Sequence, residues 1–305
     1  MRGKVLITGG TGYVGGWVLE SLLNAGYEVT NLGWKAHSNP NVESLIASIT
    51  DQEAIHQALS NRYFDTVLHL AAANQLADEE TIELVNVKGT QNLIVALQRA
   101  RPQQFIYLST IKVYGPVNGH ITELSVPNLI GSSAYGRSKL AAEKLLLGLP
   151  VEWDNTRKVV LRLSNAYGTP KNMDVDTWHL LLNDLCSSAY QKGEIVLKSA
   201  PNSQLDMIWL GSVGQVIVET IANPTIDGVY NLGSGKSITL AGVAEAVATA
   251  YQEYFGMPAK LQMPDAKGDL VNLEFDCQKL KAHVPFDASN HLMDEAKKLF
   301  TLLAS

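Results

Sequence analysis

Tyr135 and Lys139 lie four residues apart in Ala134–Leu147, a segment whose spacing predicts a helix. In an α-helix, residues i and i+4 share one face, so we expect a phenol and an ammonium side by side. An isolated phenol has a pKa near ~10, and an adjacent positive charge lowers that pKa. The pair therefore predicts a general acid–base that exchanges a proton with an alcohol or ketone near neutral pH.

A candidate second catalytic hydroxyl belongs to Thr110, which follows the apolar run Phe105–Leu108. Such a run predicts a buried parallel strand that delivers Thr110, or its neighbour Ser109, to the carboxyl edge of a sheet. A hydroxyl there can donate a hydrogen bond to a carbonyl or alkoxide oxygen. A second Tyr-x-x-x-Lys spacing, Tyr167–Lys171, contains a glycine and a proline, which disfavour the helix needed to align its side chains.

Three glycines, Gly9, Gly12 and Gly15, follow the apolar run Val5–Ile7 and precede apolar residues at helical spacing. Glycine lets the backbone turn sharply between a strand and a helix. The unpaired N–H groups and the dipole at the helix N-terminus then favour an anion such as a pyrophosphate. The segment therefore predicts a dinucleotide-binding loop.

These candidates are positioned by alternating strand-like and helix-like segments. The predicted strands after the first are Tyr27–Leu32, Ser44–Ile49, Thr66–Leu70, Phe105–Leu108, Val159–Leu163 and Gly228–Leu232. The predicted helices after the first are Asp51–Leu59, Glu83–Arg99, Ala134–Leu147, Thr177–Gln191, Ser212–Ile221, Leu240–Phe255 and Asp294–Leu303. The alternation predicts an α/β fold with a doubly wound parallel Rossmann sheet and a smaller C-terminal lobe that binds substrate.

The predicted domain boundary lies near residue 168. We expect residues 1–168 to form the dinucleotide-binding domain, with a segment near 206–232 returning to it. Residues 169–305 are expected to form mainly the substrate-binding lobe, over the carboxyl ends of the strands, where ligands bind in such sheets.

Composition excludes several other classes of function. The net charge of −6 and the scattered Lys and Arg residues argue against nucleic-acid binding. No apolar run reaches the ~18–20 residues of a membrane helix, and Met1 leads straight into the first strand, so we expect neither a membrane span nor a signal peptide. Cys186 and Cys277 lack metal-ligand spacing, so we expect no metal site and a reducing, cytoplasmic location.

An ordered set of motifs extends over nearly the whole chain. The matching stretches are TGGTGYVG (8–15), HLAAA (69–73), NVKGTQNL (86–93), STIKVYG (109–115), YGRSK (135–139), RLSNAYG (162–168), GVYNLGSG (228–235) and FDCQKL (275–280). By these motifs the chain resembles the extended short-chain dehydrogenase/reductases of the NAD-dependent epimerase/dehydratase family. Most members of that family act on nucleotide sugars.

The resemblance implies a role for each matching residue. Thr110, Tyr135 and Lys139 would be catalytic, with Tyr135 as the acid–base, and Asn165 would contact the substrate. The implied cofactor-binding residues are Gly9, Thr11, Gly12, Tyr13, Val14, Gly15, Ala71, Ala72 and Ala73. The resemblance also implies a nucleotide-sugar substrate and a homodimer formed by the helix Glu83–Arg99 with the tyrosine-bearing helix.

Two residues near the expected cofactor site differ from the family pattern. Gly33 stands where NAD-specific members carry Asp at the end of strand two. Without that carboxylate a 2′-phosphate could fit beside Lys35, so the sequence favours NADP slightly over NAD. Ser48 replaces an Asp that lies beside the adenine in other members.

Residues near the expected substrate site also differ from the family pattern. Ile111 and Lys112 replace the Asp-Glu pair of the dehydratases, which argues against a 4,6-dehydratase. Leu205 replaces the Arg that binds the nucleotide diphosphate, and Lys198, Lys171 and Arg137 are alternative sources of that charge. Ser212 replaces an acid and is expected to cap the following helix, while His69 is expected to be a core histidine with both ring nitrogens bonded.

The sequence therefore predicts hydride transfer at a carbinol or ketone carbon of a nucleotide-activated sugar. A 4-epimerase and a 4-ketoreductase fit about equally well. The alternatives are a reductase of a non-sugar carbonyl compound and a non-catalytic, dinucleotide-binding regulatory protein.

Overall fold

A parallel sheet of seven strands brings the predicted motifs to one edge of the molecule. The computed structural model describes residues 2–264 and 270–305, so Met1 lies outside it. The strands are β1 Lys4–Thr8, β2 Glu28–Gly33, β3 Glu43–Ile46, β4 Thr66–His69, β5 Gln104–Thr110, β6 Gly119–Ile121, β7 Arg157–Leu163, β8 Asn165–Tyr167, β9 Glu194–Val196, β10 Gln204–Trp209, β11 Gly228–Leu232, β12 Ser237–Thr239, β13 Lys260–Gln262 and β14 Leu273–Phe275.

Helices pack on both faces of this sheet and form the smaller lobe. They are α1 Tyr13–Asn24, α2 Gln52–Leu59, α3 Glu79–Ile82, α4 Gly89–Leu97, α5 Ala134–Leu147, α6 Leu181–Lys192, α7 Leu210–Ala222, α8 Leu240–Phe255, α9 Gln278–Lys281 and α10 Leu292–Ala304. A π-helical segment, Glu83–Lys88, joins α3 to α4, and a 3-10 turn, Ile111–Tyr114, follows β5.

The strand order in the large sheet is β11-β7-β5-β4-β1-β2-β3, and every neighbouring pair is parallel. The chain builds outward from β1 to β3, then returns to the other side of β1 and continues from β4 to β11. This confirms the predicted doubly wound sheet. The order reverses between β1 and β4, which is where such sheets form a crevice for ligands.

The alternation of side chains along β1 explains the three-layer packing. Val5 and Ile7 point into the core against α1 and α7, while Leu6 points to the opposite core against α2, α4 and α5. Successive strand residues face opposite sides of a sheet, so a short apolar run fills both cores at once. Burial on both faces is why the strands read as continuous apolar runs.

The predicted helix Glu83–Arg99 is part of a longer helical stretch that begins at Glu79. It begins there because the carboxylate of Asp78 accepts a hydrogen bond from the N–H of Thr81, at 2.8 Å. Asn86, in the central π-helical turn, and Thr90, at the start of α4, both make buried side-chain hydrogen bonds. Such turns occur frequently at functional sites.

The smaller lobe has its own core, in which α6, α8 and α10 pack together. The predicted helix Thr177–Gln191 was wrong at its start, since α6 begins at Leu181. Its first residues instead form a turn in which the N–H of Leu180 bonds to the carbonyl of Thr177. Ser212 was also wrongly predicted as a cap: α7 begins at Leu210, and the Ser212 hydroxyl donates to the carbonyl of Asp287.

Asp206 joins the smaller lobe to the large sheet. Its fully buried carboxylate accepts hydrogen bonds from the Ser164 hydroxyl, from the N–H and hydroxyl of Ser234 (both 2.9 Å), and from the N–H of Gly235 (2.7 Å). Burial raises the pKa of this carboxyl while the donors lower it. The carboxylate thus holds the end of β7, the strand β10 and the turn after β11 at one point.

We expect Asp206→Asn to lower the free energy of unfolding by about 2–4 kcal/mol, because an amide NH₂ would face donors that now meet an oxygen. Urea unfolding of the variant and the parent chain measures this difference. Glu245→Gln, on the exposed face of α8, is the control and should change stability by less than about 0.5 kcal/mol. An Asp206→Asn effect as small as the control would contradict the assigned role.

Candidate active site

A cavity of about 430 Å³ opens at the carboxyl ends of the central strands, at the switch point of the sheet. Its lining includes ten of the residues predicted from the sequence: Gly9, Gly12, Tyr13, Val14, Gly15, Ala72, Thr110, Tyr135, Lys139 and Asn165. Thr11 and Lys35 line an adjoining cavity of about 670 Å³ on the other side of the glycine loop. Ala71 packs beneath the loop, and Ala73 bonds to Asn86 through its N–H.

The glycine loop forms a cradle that only glycine can build. Gly9 has φ +75°, and a Cβ there would come within 2.7 Å of the backbone nitrogen of Ala71. A Cβ on Gly15 would collide with the carbonyl of Gly9. Helix α1 begins directly after Gly12, which has no side chain to cap it, so its first N–H groups face the loop. The cradle therefore fits the pyrophosphate of a dinucleotide.

Tyr135 and Lys139 lie on successive turns of α5, as predicted. Lys139 is almost fully buried, with Nζ 4.1 Å from the centre of the Tyr107 ring. Removal from water lowers the pKa of Lys139 to about 7 and raises the pKa of Tyr135 to about 12. The Tyr135 shift is opposite to the predicted lowering. Burial is the cause of this shift, because removal from water disfavours the charged phenolate.

A buried ion pair lies on the next turn of α5. The Glu143 carboxylate accepts from Arg162 Nη2 at 2.7 Å and from the Ser109 hydroxyl, and both charged side chains are buried. The negative charge of Glu143 opposes the effect of burial on Lys139 and favours the ammonium form.

The two candidate hydroxyls at the end of β5, those of Ser109 and Thr110, make different hydrogen bonds. Ser109 gives its proton to Glu143. The Thr110 hydroxyl oxygen accepts from the N–H of Lys112 at 3.3 Å, and residues 2–264 and 270–305 contain no recorded acceptor for its proton. Thr110 is therefore the hydroxyl oriented to donate into the cavity.

His69 has both ring nitrogens bonded, as expected of a core histidine. Thr90 gives its hydroxyl proton to the carbonyl of Asn86 and so accepts from His69 Nε2 at 2.9 Å. His69 Nδ1 then accepts from the Thr8 hydroxyl at 2.6 Å, which in turn accepts from the N–H of Ala71. Burial lowers the pKa of His69 to about 3, so the ring is neutral.

Two carboxamides line the substrate side of the cavity. Asn165 donates to the carbonyl of Asp206 at 2.9 Å. Asn183, which the sequence analysis missed, is fully buried in α6 and donates to Thr177, while its carbonyl oxygen has no partner within the part of the chain that the structure describes. A buried acceptor without a donor beside a cavity marks a position for a ligand donor. An asparagine between Leu182 and Leu185 on the apolar face of α6 was the available signal.

Comparison with known proteins places this site in a family. The model of the NAD dependent epimerase/dehydratase family matches residues 5–233, which extend from β1 to the end of β11. The chain belongs to this family. It is therefore an enzyme of the extended short-chain dehydrogenase type.

Individual relatives align with this chain over most of its length. The UDP-glucose 4-epimerase of Bacillus subtilis is 23% identical, over 94% of this chain and 93% of its own length. A dTDP-6-deoxy-L-talose 4-dehydrogenase (NAD(P)(+)) of Kitasatospora kifunensis is 27% identical, over 93% of this chain and 89% of its own. The Thermus thermophilus UDP-glucose 4-epimerase, solved as a complex with NAD, has a TM-score of 0.81 at 24% identity and 99% coverage of both chains.

In this epimerase/dehydratase family member, each of the three cations predicted as an alternative source of charge for a diphosphate is paired with an acid. Lys198 pairs with Asp184, Lys171 pairs with Glu20, and Arg137 pairs with Glu79, all at exposed positions. None of these three lines the catalytic cavity. Besides Lys139, the cavity lining includes Lys112 and His179 as basic groups and Asp176 as an acid.

In the part of the chain that the structure describes, no helix is both long and apolar enough to cross a membrane. No group of three or more metal-ligating side chains lies together in residues 2–264 and 270–305.

We expect the stability of the chain to depend on pH through Lys139. Its pKa is about 7 in the folded chain and ~10.4 when unfolded, so between these values the unfolded chain binds more protons. The free energy of unfolding contributed by this group therefore rises with pH above 7. Lys139→Met removes this pH-dependent contribution. The variant should therefore exceed the parent chain in free energy of unfolding by an amount that is largest at pH 6 and falls by about 1–2 kcal/mol by pH 8.5.

Urea unfolding of both chains at pH 6, 7 and 8.5 measures that advantage. Taking the difference between the two chains cancels the effect of Cys186 and Cys277, whose pKa values burial raises in both. An advantage that stays constant from pH 6 to 8.5 would show that Lys139 keeps its ordinary pKa.

Proposed function

We propose that this chain is an NAD(P)-dependent enzyme that acts by hydride transfer at a carbinol or ketone carbon of a nucleotide-activated sugar. The observation that carries the proposal is that Thr110, Tyr135 and Lys139 share one cavity with the glycine loop. A proton-exchanging phenol, a hydrogen-bond donor and a dinucleotide cradle are the parts this chemistry needs.

Each catalytic side chain has a distinct task. A bound nicotinamide dinucleotide supplies the hydride donor or acceptor. The Tyr135 hydroxyl exchanges a proton with the substrate oxygen, and Thr110 donates a hydrogen bond to that oxygen. Lys139, when protonated, stabilises the Tyr135 phenolate, and Glu143 favours that protonated form.

The cofactor contacts follow from the cradle. Gly9, Gly12 and Gly15 would hold the pyrophosphate with the first N–H groups of α1. The other contacts we assign to the cofactor are Thr11, Tyr13, Val14, Lys35, Ala71, Ala72 and Ala73. Lys35 is the group that would bind the 2′-phosphate of NADP, the cofactor that the sequence slightly favours, and in the structure it is held by Asp174 at 2.8 Å.

The substrate contacts lie across the cavity, under the smaller lobe formed mainly by residues 169–305. Asn165 and Asn183 offer carboxamides, Lys112 supplies a positive charge for a diphosphate in place of the missing Arg, and the His179 ring offers a hydrogen-bonding nitrogen. By their names, the two epimerases and the dehydrogenase described above act on UDP- and dTDP-linked sugars, which supports a sugar substrate of this class.

The same residues serve a 4-epimerase and a 4-ketoreductase. In an epimerase the hydride returns to the other face of the keto intermediate, so there is no net change in cofactor. In a ketoreductase one reduced cofactor is consumed per product. A non-sugar carbonyl substrate is the second candidate, favoured by the apolar side chains of Leu180, Leu205 and Met207 on the cavity wall.

We expect Tyr135→Phe to lower turnover of UDP-glucose or its 4-keto derivative by about 10²–10⁴-fold, because the proton-exchanging hydroxyl is lost. Binding of the dinucleotide, measured by calorimetry, should stay within about twofold. Nicotinamide absorbance during turnover separates the reactions: it stays constant for an epimerase and falls in proportion to product for a ketoreductase. Full activity of Tyr135→Phe would overturn the proposal, and activity only on non-sugar carbonyls would favour the second candidate.

We propose further that the protein is a cytoplasmic homodimer. Both cysteines are free, which supports a reducing compartment. Leu84 and Val95 on the α3–α4 stretch and Leu147 at the end of α5 are exposed apolar side chains on the elements that the resemblance assigns to the dimer face.

Sedimentation equilibrium is expected to give twice the chain mass. Val95→Asp should shift the distribution towards the monomer, because a charge would be buried at the interface. Val126→Asp, at an exposed apolar position after β6, is the matched control and should leave the dimer intact. A monomeric parent chain at micromolar concentration would contradict the dimer.

A further inference from the structure

In this chain, the acidic side chain near the position that usually selects between NAD and NADP comes from a distant part of the sequence. In Rossmann folds an acidic side chain near the end of the second strand binds the ribose hydroxyls of NAD, whereas a nearby cation accommodates the 2′-phosphate of NADP. Strand β2 ends at Gly33, which offers neither. Two residues on, Lys35 Nζ lies 2.8 Å from the carboxylate of Asp174, which is 139 residues away in the sequence.

Asp174 is held there by a strap, residues 168–174, that crosses the N-terminal half of α1. The hydroxyl of Tyr13 donates to the carbonyl of Gly168 at 2.6 Å, and the indole of Trp17 donates to the carbonyl of Thr169 at 2.9 Å. The side chain of Asn172 donates to the carbonyl of Thr11, inside the glycine loop, at 3.0 Å. The strap is therefore anchored to the cofactor loop itself.

The Asn172 side chain also fixes the backbone of Asp174. Its oxygen accepts from the Asp174 N–H at 3.1 Å, while its nitrogen is bound to Thr11. The Asp174 carboxylate is 73% exposed, and Lys35 is 28% exposed, with Nζ also lying 5.2 Å from the centre of the Trp34 ring. The acid thus stands at the rim of the 670 Å³ cavity, beside the residues next to β2.

The charges around that cavity cancel. Lys35 is paired with Asp174, and Lys171 is paired with Glu20 at 2.7 Å. His37, also on the wall, has its pKa lowered by burial and is neutral at pH 7. A phosphate group with two negative charges would meet no excess of positive charge and would have to displace Asp174 from Lys35.

We propose that Asp174 makes this enzyme select NAD over NADP, because its carboxylate occupies Lys35 and repels a 2′-phosphate. The proposal rests on the dinucleotide binding argued above and assigns the cofactor choice to a residue outside the nucleotide-binding motif. It predicts a preference for NAD, whereas Gly33 and Lys35 in the sequence slightly favour NADP.

Calorimetric titration of the full chain with NADH and NADPH, at low ionic strength, tests the proposal without requiring turnover. The parent chain should bind NADH at least about tenfold more tightly than NADPH. Asp174→Asn should tighten NADPH binding about tenfold, since one repelling charge is gone and Lys35 is released, and should leave NADH binding within about threefold. An exposed pair contributes little to stability, so the variant should fold normally, which thermal unfolding checks.

Two further variants separate the specific effect from bulk charge. Glu20→Gln removes an acid from the same cavity and releases Lys171 rather than Lys35, so it should tighten NADPH binding by less than about threefold. Adding Lys35→Met to Asp174→Asn should abolish most of the gain, because the 2′-phosphate then has no cation.

Three results would overturn the assignment of Asp174. They are an unchanged NADH-to-NADPH ratio in Asp174→Asn, an equal gain in Glu20→Gln, and a parent chain that prefers NADPH. Failure of the parent chain to bind either nucleotide is a different result, which would overturn the proposed function itself.

Discussion

The buried ion pair between Glu143 and Arg162 fixes α5, the helix that carries Tyr135 and Lys139, against the sheet. Glu143 lies on α5 one turn beyond Lys139, Arg162 lies on β7, and Ser109 reaches the same carboxylate from β5. Two strands and the helix are thus tied at one buried point. Burying two charges is costly, and the cost is offset only when their remaining hydrogen-bonding atoms are also satisfied. Here Arg162 has a second partner in the Tyr114 hydroxyl, at 2.9 Å.

This arrangement has a direct bearing on Lys139. A lysine removed from water tends to lose its charge, and the phenol beside it tends to stay protonated. Glu143 is the nearby negative charge that opposes the first tendency. Neither Glu143 nor Arg162 lines the cavity, so the pair can hold the helix without contacting a bound ligand.

Much of the fold followed from local patterns. The apolar runs predicted the strands, and helices α5 and α8 have the predicted bounds, because their caps, Ser133 and Thr239, lie beside clear helical spacing. The predicted start of α6 failed because a turn at Thr177 precedes the helix, and the predicted start of α7 failed because the helix follows β10 directly at Leu210. The spacing of Tyr135 and Lys139 predicted their shared face but not the pKa of Tyr135, since burial depends on the whole fold.

The long-range pairs were beyond a reading of local patterns. Nothing near Lys35 in the sequence points to Asp174, and nothing near Leu205 indicates that Lys112 and His179 line the cavity. These contacts depend on how the smaller lobe and its connecting segment are placed over the sheet. Asn183 could be predicted in part. The sequence shows a polar residue on the apolar face of a helix, but it does not show which residue that side chain bonds to.

The neutral ring of His69 links Thr90, at the start of α4, to the end of β1 and the backbone beneath the cradle. Burial lowers the pKa of this ring to about 3 and the pKa of Lys139 to about 7, so mild acidification changes the charge of Lys139 and leaves the ring neutral. The hydrogen bonds of His69 beneath the cradle therefore stay the same while the lysine gains its proton.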